Sequence, residues 1–226
     1  MALLVISALL PILLVIFYIN YSDKYDKEPT KLLVNSFLLG AIVSVILALI
    51  MYNGFDIILP LKDEFSVKQQ IVKAFVVVAF TEEFCKYIIV RYYAQPKQKF
   101  DEKLDGIVYA VLVSMGFAAT ENLIYVFQGG FEVALIRAIT AVPAHATFGI
   151  LMGYFMGIAK FNKHNKYILN LTGLFSAILF HGLYDVFLFL DFIPGIAAGA
   201  FASLIIGLLL SKKAIKTHQD KSRFKT

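Results

Sequence analysis

The chain has 226 residues, 59% of them hydrophobic and only 16% charged, with a mean hydropathy of +0.75. Such a composition cannot clothe a soluble domain in an ordinary polar surface, so an integral membrane protein is expected. The net charge of +5 is no sign of nucleic-acid binding, because no basic stripe is interleaved with aromatics.

Spanning a bilayer takes about 20 mostly apolar residues per helix. The chain offers such runs at residues 2–19, 32–52, 71–93, 106–127, 131–159, 167–190 and 192–210. They are too long and too uniformly apolar for barrel strands, which alternate over roughly ten residues. The expected fold is therefore all-α, a polytopic membrane bundle of about seven transmembrane helices, forming one domain over residues 1–210 with a basic tail at 211–226.

The first run has no lysine or arginine before it and no small-x-small site after it, so it reads as a span and not as a cleaved leader. The third run holds the lone cysteine, Cys85, which reads as a small packing residue in a chain where disulfides play no part. Gly129 and Gly130 predict a tight turn between the fourth and fifth runs. In the fifth, Pro143 is expected to kink the helix, and Gly149, Gly153 and Gly157 repeat at the spacing that lets helices approach closely.

Lysines and arginines set orientation. Lys24, Lys27 and Lys31 follow the first run; Arg91, Lys97, Lys99 and Lys103 the third; Lys160, Lys163 and Lys166 the fifth; six more lie between Lys212 and Lys225. The opposite side has only Lys62, Lys68 and Lys73. The amino terminus is thus expected outside and the carboxyl terminus in the cytoplasm, next to anionic lipid.

Against this apolar background the charges inside the runs stand out. The stretch AFTEEFCKYIIV places Glu82, Glu83 and Lys86 near the middle of the third run. Glu121 and Asn122 lie in the fourth, Arg137 and His145 in the fifth, His181 and Asp185 in the sixth. Each charge at the bilayer centre costs a few kcal/mol, so these groups are expected to share one polar cavity, open to the outer face. With a rise of about 1.5 Å per residue, Glu82 and His145 fall midway along their runs and the others nearer the outer ends. Lys86 can neutralise one glutamate along the same helix, leaving the other to face the cavity. His181 and Asp185 are also one turn apart, so the carboxylate can orient the imidazole. Arg137 is expected to reach the outer head groups in preference to pairing with Glu121 or Asp185.

Four of these segments resemble the PrsW family of intramembrane proteases, distant relatives of the CAAX-processing (CPBP) membrane endopeptidases. They are EEFCK at Glu82–Lys86; FDEKLDGIVYA at Phe100–Ala110 with GFAATEN at Gly116–Asn122; VPAHATFGILMGYFMGIAK at Val142–Lys160; and HGLYD at His181–Asp185. The family usually has proline where Lys103 stands. The resemblance covers about residues 75–190 and implies a catalytic core there. It implies cleavage of single-span membrane proteins, anti-sigma factors being the best-known type, on the outer side of a bacterial cytoplasmic membrane.

By the same resemblance Glu82, Glu83, His145 and His181 are the candidate catalytic residues, with Lys86, Glu121, Asn122 and Asp185 in support. Peptide hydrolysis asks for such groups: a base for water, a proton donor for the leaving amine and a partner for the oxyanion. Two mechanisms remain open. A glutamate, Glu82 by preference, activates water directly with the histidines as oxyanion or proton partners; or one zinc ion is held by His145 and His181 with Glu82 or Glu83. The loop acids Asp101, Glu102 and Asp105 are expected to be solvated. The rival reading is a proton-coupled transporter or channel, which uses the same residue types but would show inverted repeats or broken helices; no clear pair of these is visible.

Overall fold

The structure, a computed structural model, describes residues 1–225, so Thr226, the last residue of the expected tail, lies outside the described residues. Among the described residues the regular structure is helical throughout. This is the arrangement that satisfies backbone N–H and C=O groups within each segment when no water is present.

Helix α1 is Ala2–Ser22 and α2 is Thr30–Ile58, the latter passing through a π-helical turn at Gly40–Ser44. Helix α3 covers residues 67–94, with π-helical turns at Lys73–Ala79 and Val90–Ala94 flanking the α-helical stretch Phe80–Ile89. Then come α4, Leu104–Ile139, α5, Ala141–Phe161, α6, Lys166–Phe189, and α7, Ala198–Asp220.

Five segments are long and apolar enough to cross a membrane: α1, α2, the continuous α4–α5 stretch Leu104–Phe161, α6 and α7. Helix α3, with Lys73, Glu82, Glu83, Lys86 and Arg91, is not among them. Their outer faces carry Leu10, Leu13, Phe17, Ile46, Ile50 and Ile205, all more than half exposed. In water such continuous apolar surface would drive aggregation; against lipid it is the expected exterior. The protein is a multi-pass membrane protein.

Helices α4 and α5 form the centre of the bundle. Gly106 lies against Gly153 and Gly157, and Gly149 against Ala110 and Ser114, a descending register that makes the pair antiparallel. A Cβ at Gly153 would meet the carbonyl oxygen of Gly106 well inside contact distance. The glycine repeat seen in the sequence is therefore a seam between backbones.

Three expectations about helix ends are corrected. The fifth run does not start at residue 131 as one span. Gly130 has φ 73° and ψ −159°, a region open essentially to glycine alone. The chain bends there, runs helically to Ile139, and breaks again at Thr140, with φ −121° and ψ −78°. Pro143 is consequently in the first turn of α5, where its missing N–H leaves no hydrogen bond unmade, and it kinks nothing. The last helix begins at Ala198 and not near 192, because the Pro194–Gly195 turn interrupts the chain, and it continues to Asp220.

The lysine-bearing connections gather at one end of the bundle. Gln219 Nε2 donates to the Ser22 carbonyl at 2.5 Å, and Arg223 pairs with Asp101 at 3.1 Å. The Tyr109 hydroxyl donates to Glu28, and that of Ser222 to Glu102. Glu102 and Asp105 are buried here, against the expectation of a solvated loop. Asp105 Oδ2 accepts the N–H groups of Asp101 and Glu102, each at 2.7 Å, so the carboxylate organises the loop that leads into its own helix.

Candidate active site

Helix α3 carries the centre of the site. Lys86 Nζ lies 2.8 Å from Glu83 Oε1 and 3.3 Å from Glu82 Oε2, one turn along the same helix, as the i to i+3 and i to i+4 spacing requires. It also donates to His145 Nδ1 on α5 at 3.2 Å and sits 4.3 Å from the centre of the Phe117 ring. Glu82, Glu83 and Lys86 are all buried, Glu83 and Lys86 almost completely. An ammonium taken out of water to this extent is tolerated because two carboxylates and an aromatic face surround it.

Each histidine is held from both sides. His145 Nδ1 faces the lysine, a donor, so the proton is assigned to Nε2, which donates to Glu121 Oε2 at 2.8 Å. The ring of His181 lies between Glu83 Oε1, 2.8 Å from Nδ1, and Asp185 Oδ2, 3.3 Å from Nε2. It stacks on Phe148 with ring centres 4.6 Å apart and lies 5.6 Å from the His145 ring. The break at Thr140 puts His145 in the opening turns of α5, where the Ser114 hydroxyl of α4 donates to the His145 carbonyl at 2.7 Å.

The four expected catalytic residues and the four expected supporting residues thus meet in one continuous network. Two further members join it. Tyr52 on α2 donates its hydroxyl to Glu82 Oε1 at 2.8 Å. Arg137 turns inward: its Nη2 donates to Glu121 Oε2 at 2.9 Å and its Nε to Asn122 Oδ1 at 2.6 Å, in place of the expected reach to head groups. Asn122 in turn donates to the Ala8 carbonyl of α1 at 2.7 Å. Tyr52 had no signal beyond being a tyrosine in an apolar run. Arg137 had one, since the desolvation of Glu121 calls for a cation nearby.

A cavity of about 780 Å³ opens beside the network. Glu82, His145, His181, Glu121 and Asp185 reach its wall together with Tyr52, whereas Glu83 and Lys86 lie behind it. Its remaining lining is largely apolar, including Ala48, Leu49, Phe117, Ile124, Leu188 and Phe201. The opening turns of α3 and the rotation of Glu82 against Glu83 therefore decide which carboxylate meets a substrate.

Glu82, Glu83 and His145 offer three ligand atoms within 4.8 Å of one another. The set of two carboxylates and one imidazole suits a catalytic divalent metal, and Glu83 Oε2 is buried without a partner. The Lys86 ammonium contacts these same three side chains. His181 stands outside the trio, engaged by Glu83 and Asp185.

The profile described as PrsW family intramembrane metalloprotease matches residues 28–211. The chain belongs to the PrsW family. PrsW relatives align over most of both chains. Protease PrsW of Oceanobacillus iheyensis is 36% identical over 183 residues, 80% of this chain and 81% of the relative. That of Clostridioides difficile is 34% identical over 202 residues, 84% and 80%. That of Bacillus subtilis is 34% identical over 186 residues, 81% and 82%. No solved structure matches the chain. As a PrsW-family member the chain is an intramembrane peptidase, acting on membrane proteins within a lipid environment.

Proposed function

We propose that the chain crosses the cytoplasmic membrane of a bacterium seven times, amino terminus outside, and cleaves single-span proteins of the anti-sigma-factor type near the outer face. The transmembrane core carries the chemistry, centred on residues 75–190, and the basic segment from residue 211 lies in the cytoplasm. The observation that carries this reading is the position of Glu82. Its carboxylate borders an apolar-walled cavity alongside His145 and His181, while the charges that neutralise it lie behind the wall.

In this reading Glu82 takes a proton from water as the water oxygen attacks the scissile carbonyl carbon. The same carboxylate, now protonated, passes that proton to the leaving amine as the C–N bond breaks. His145 and His181 line the cavity beside it, and a ring N–H released from Glu121 or Asp185 as the substrate enters would serve the oxyanion. Glu121 and Asp185 hold those rings in orientation, and Glu83 with Lys86 fixes the backing charge. Glu82, Glu83 and His145 would hold a divalent metal, which when bound supplies Lewis acidity and an acidified water. The apolar wall around the carboxylate suits an unfolded transmembrane stretch, whose side chains need no hydrogen-bond partners.

The test compares new peptide ends among membrane proteins in cells making this chain or its Glu82→Gln, Glu83→Gln form at equal abundance. Ends near the outer edge of single-span proteins, present only with both glutamates, are the expected result. Identical peptide maps across several envelope stresses would sink the proposal and return attention to a proton or ion pathway.

A further inference from the structure

A second cavity, of about 550 Å³, lies at the lysine-rich end of the bundle, between the start of α2 and the loop that follows α3. Lys31 comes from α2, and Lys97 and Lys99 come from the loop. No carboxylate lines the cleft, and among the described residues none of these three ammonium groups is paired with one. The nearest acids in sequence are engaged elsewhere: Asp101, two residues after Lys99, pairs with Arg223, and Glu28 is buried and receives the Tyr109 hydroxyl. All three lysines are exposed, and an anion seated among them would relieve their mutual repulsion.

The walls are preformed. Lys160 Nζ donates to the carbonyls of Gln95 and Lys97, at 2.5 and 3.0 Å. The side chain of Gln95, itself buried, donates to the Met156 carbonyl and to Asn170 Oδ1 at 2.9 and 2.8 Å. On the floor, Asn35 Nδ2 donates to the Tyr93 oxygen at 3.0 Å, which leaves the Tyr93 O–H free to donate into the cleft. Lys97 Nζ lies 4.7 Å from the centre of the Tyr93 ring. Beyond the cleft, the outer face of α2 continues in Val34 and Leu38, both nearly half exposed, a path along which an acyl chain can lie.

We propose that this cleft binds a phosphate group, that of an anionic phospholipid such as phosphatidylglycerol, with Lys31, Lys97 and Lys99 around the phosphate and Tyr93 donating a hydrogen bond. Lysine suits this role as a point charge toward phosphate oxygens, and basic pockets between membrane helices recognise lipid head groups by this chemistry. The cleft joins α2 to the end of α3, the two helices that meet again at Tyr52 and Glu82. A lipid here would brace the pair that frames the active-site cavity.

The experiment uses the full chain in phosphatidylcholine nanodiscs, with native mass spectrometry to count retained phosphatidylglycerol. Thermal unfolding is followed in parallel by a thiol-reactive dye on buried Cys85. The variant Lys31→Gln, Lys97→Gln, Lys99→Gln is compared with Lys212→Gln, Lys213→Gln, Lys216→Gln, which removes three exposed charges from α7 at the same end of the bundle. The expected result is at least tenfold weaker retention in the first variant only. A single Lys31→Gln chain, with an intermediate loss, serves if the triple variant unfolds early. If glycerol phosphate displaces the lipid at equal concentration, the phosphate chemistry stands and the source is soluble. Equal retention by the wild type and the first variant, or equal loss in both triple variants, overturns the proposal.

Discussion

The hydroxyl of Tyr52 donates to Glu82 Oε1 across the gap between α2 and α3, while Lys86 holds the other oxygen of the same carboxylate. Glu82 is thereby fixed at both oxygens by residues from two helices. A hydrogen bond to a charged group contributes about 1.5–3 kcal/mol. Tyr52→Phe is therefore expected to lower kcat by about 10–100-fold with KM little changed, read as the cleavage rate of a purified single-span substrate. An unchanged rate in a fully folded variant would reduce Tyr52 to a packing residue.

Glu82 and Glu83 share Lys86, and Glu83 also carries His181, so the two carboxylates act as one unit. Residues that act as a unit are strongly non-additive. Glu82→Gln and Glu83→Gln should each remove nearly all turnover, and the double variant should be no slower than the slower single. Independent multiplication of the two losses, measured in single-turnover cleavage, would contradict a shared unit.

Arg137 spans two acceptors, Glu121 through Nη2 and Asn122 through Nε. A lysine keeps the charge but cannot serve both in this fork geometry. Arg137→Lys is expected to be closer to Arg137→Gln than to wild type, with both slower by about tenfold because the Glu121 partner of His145 is loosened. Full activity in the lysine variant would show that charge alone suffices.

At the lysine-rich end, burial pushes the Asp23 carboxyl up to about 6 and the Glu28 carboxyl up to about 7, from ordinary values of 3.8 and 4.5. The folded state then binds these protons more tightly than the unfolded chain does. Its advantage is full at low pH and is lost as pH rises through about 6 and then about 7. The thermal midpoint should fall between about pH 4 and pH 7, the span from the ordinary to the raised values, and Asp23→Asn with Glu28→Gln should flatten that fall. An identical slope in the double variant would place the pH dependence elsewhere.

Membrane residence and the helical class were legible from composition alone, because a backbone without water has few ways to satisfy itself. The candidate site was legible for a related reason. Charges at Glu82, Glu83, Lys86, Glu121, His145, His181 and Asp185 are so costly in lipid that they must find one another, and every one of them does. Other features depended on contacts between residues far apart in the chain. Tyr52 is one apolar-run tyrosine among many until α2 is packed against α3. Arg137 looks like a head-group anchor until the bends at Gly130 and Thr140 fold its segment back over Glu121. Which glutamate borders the cavity follows from the rotation of α3, set by its packing on α2, α4 and α6. Periodicity reports that a helix has two faces; only its neighbours decide which way each one turns.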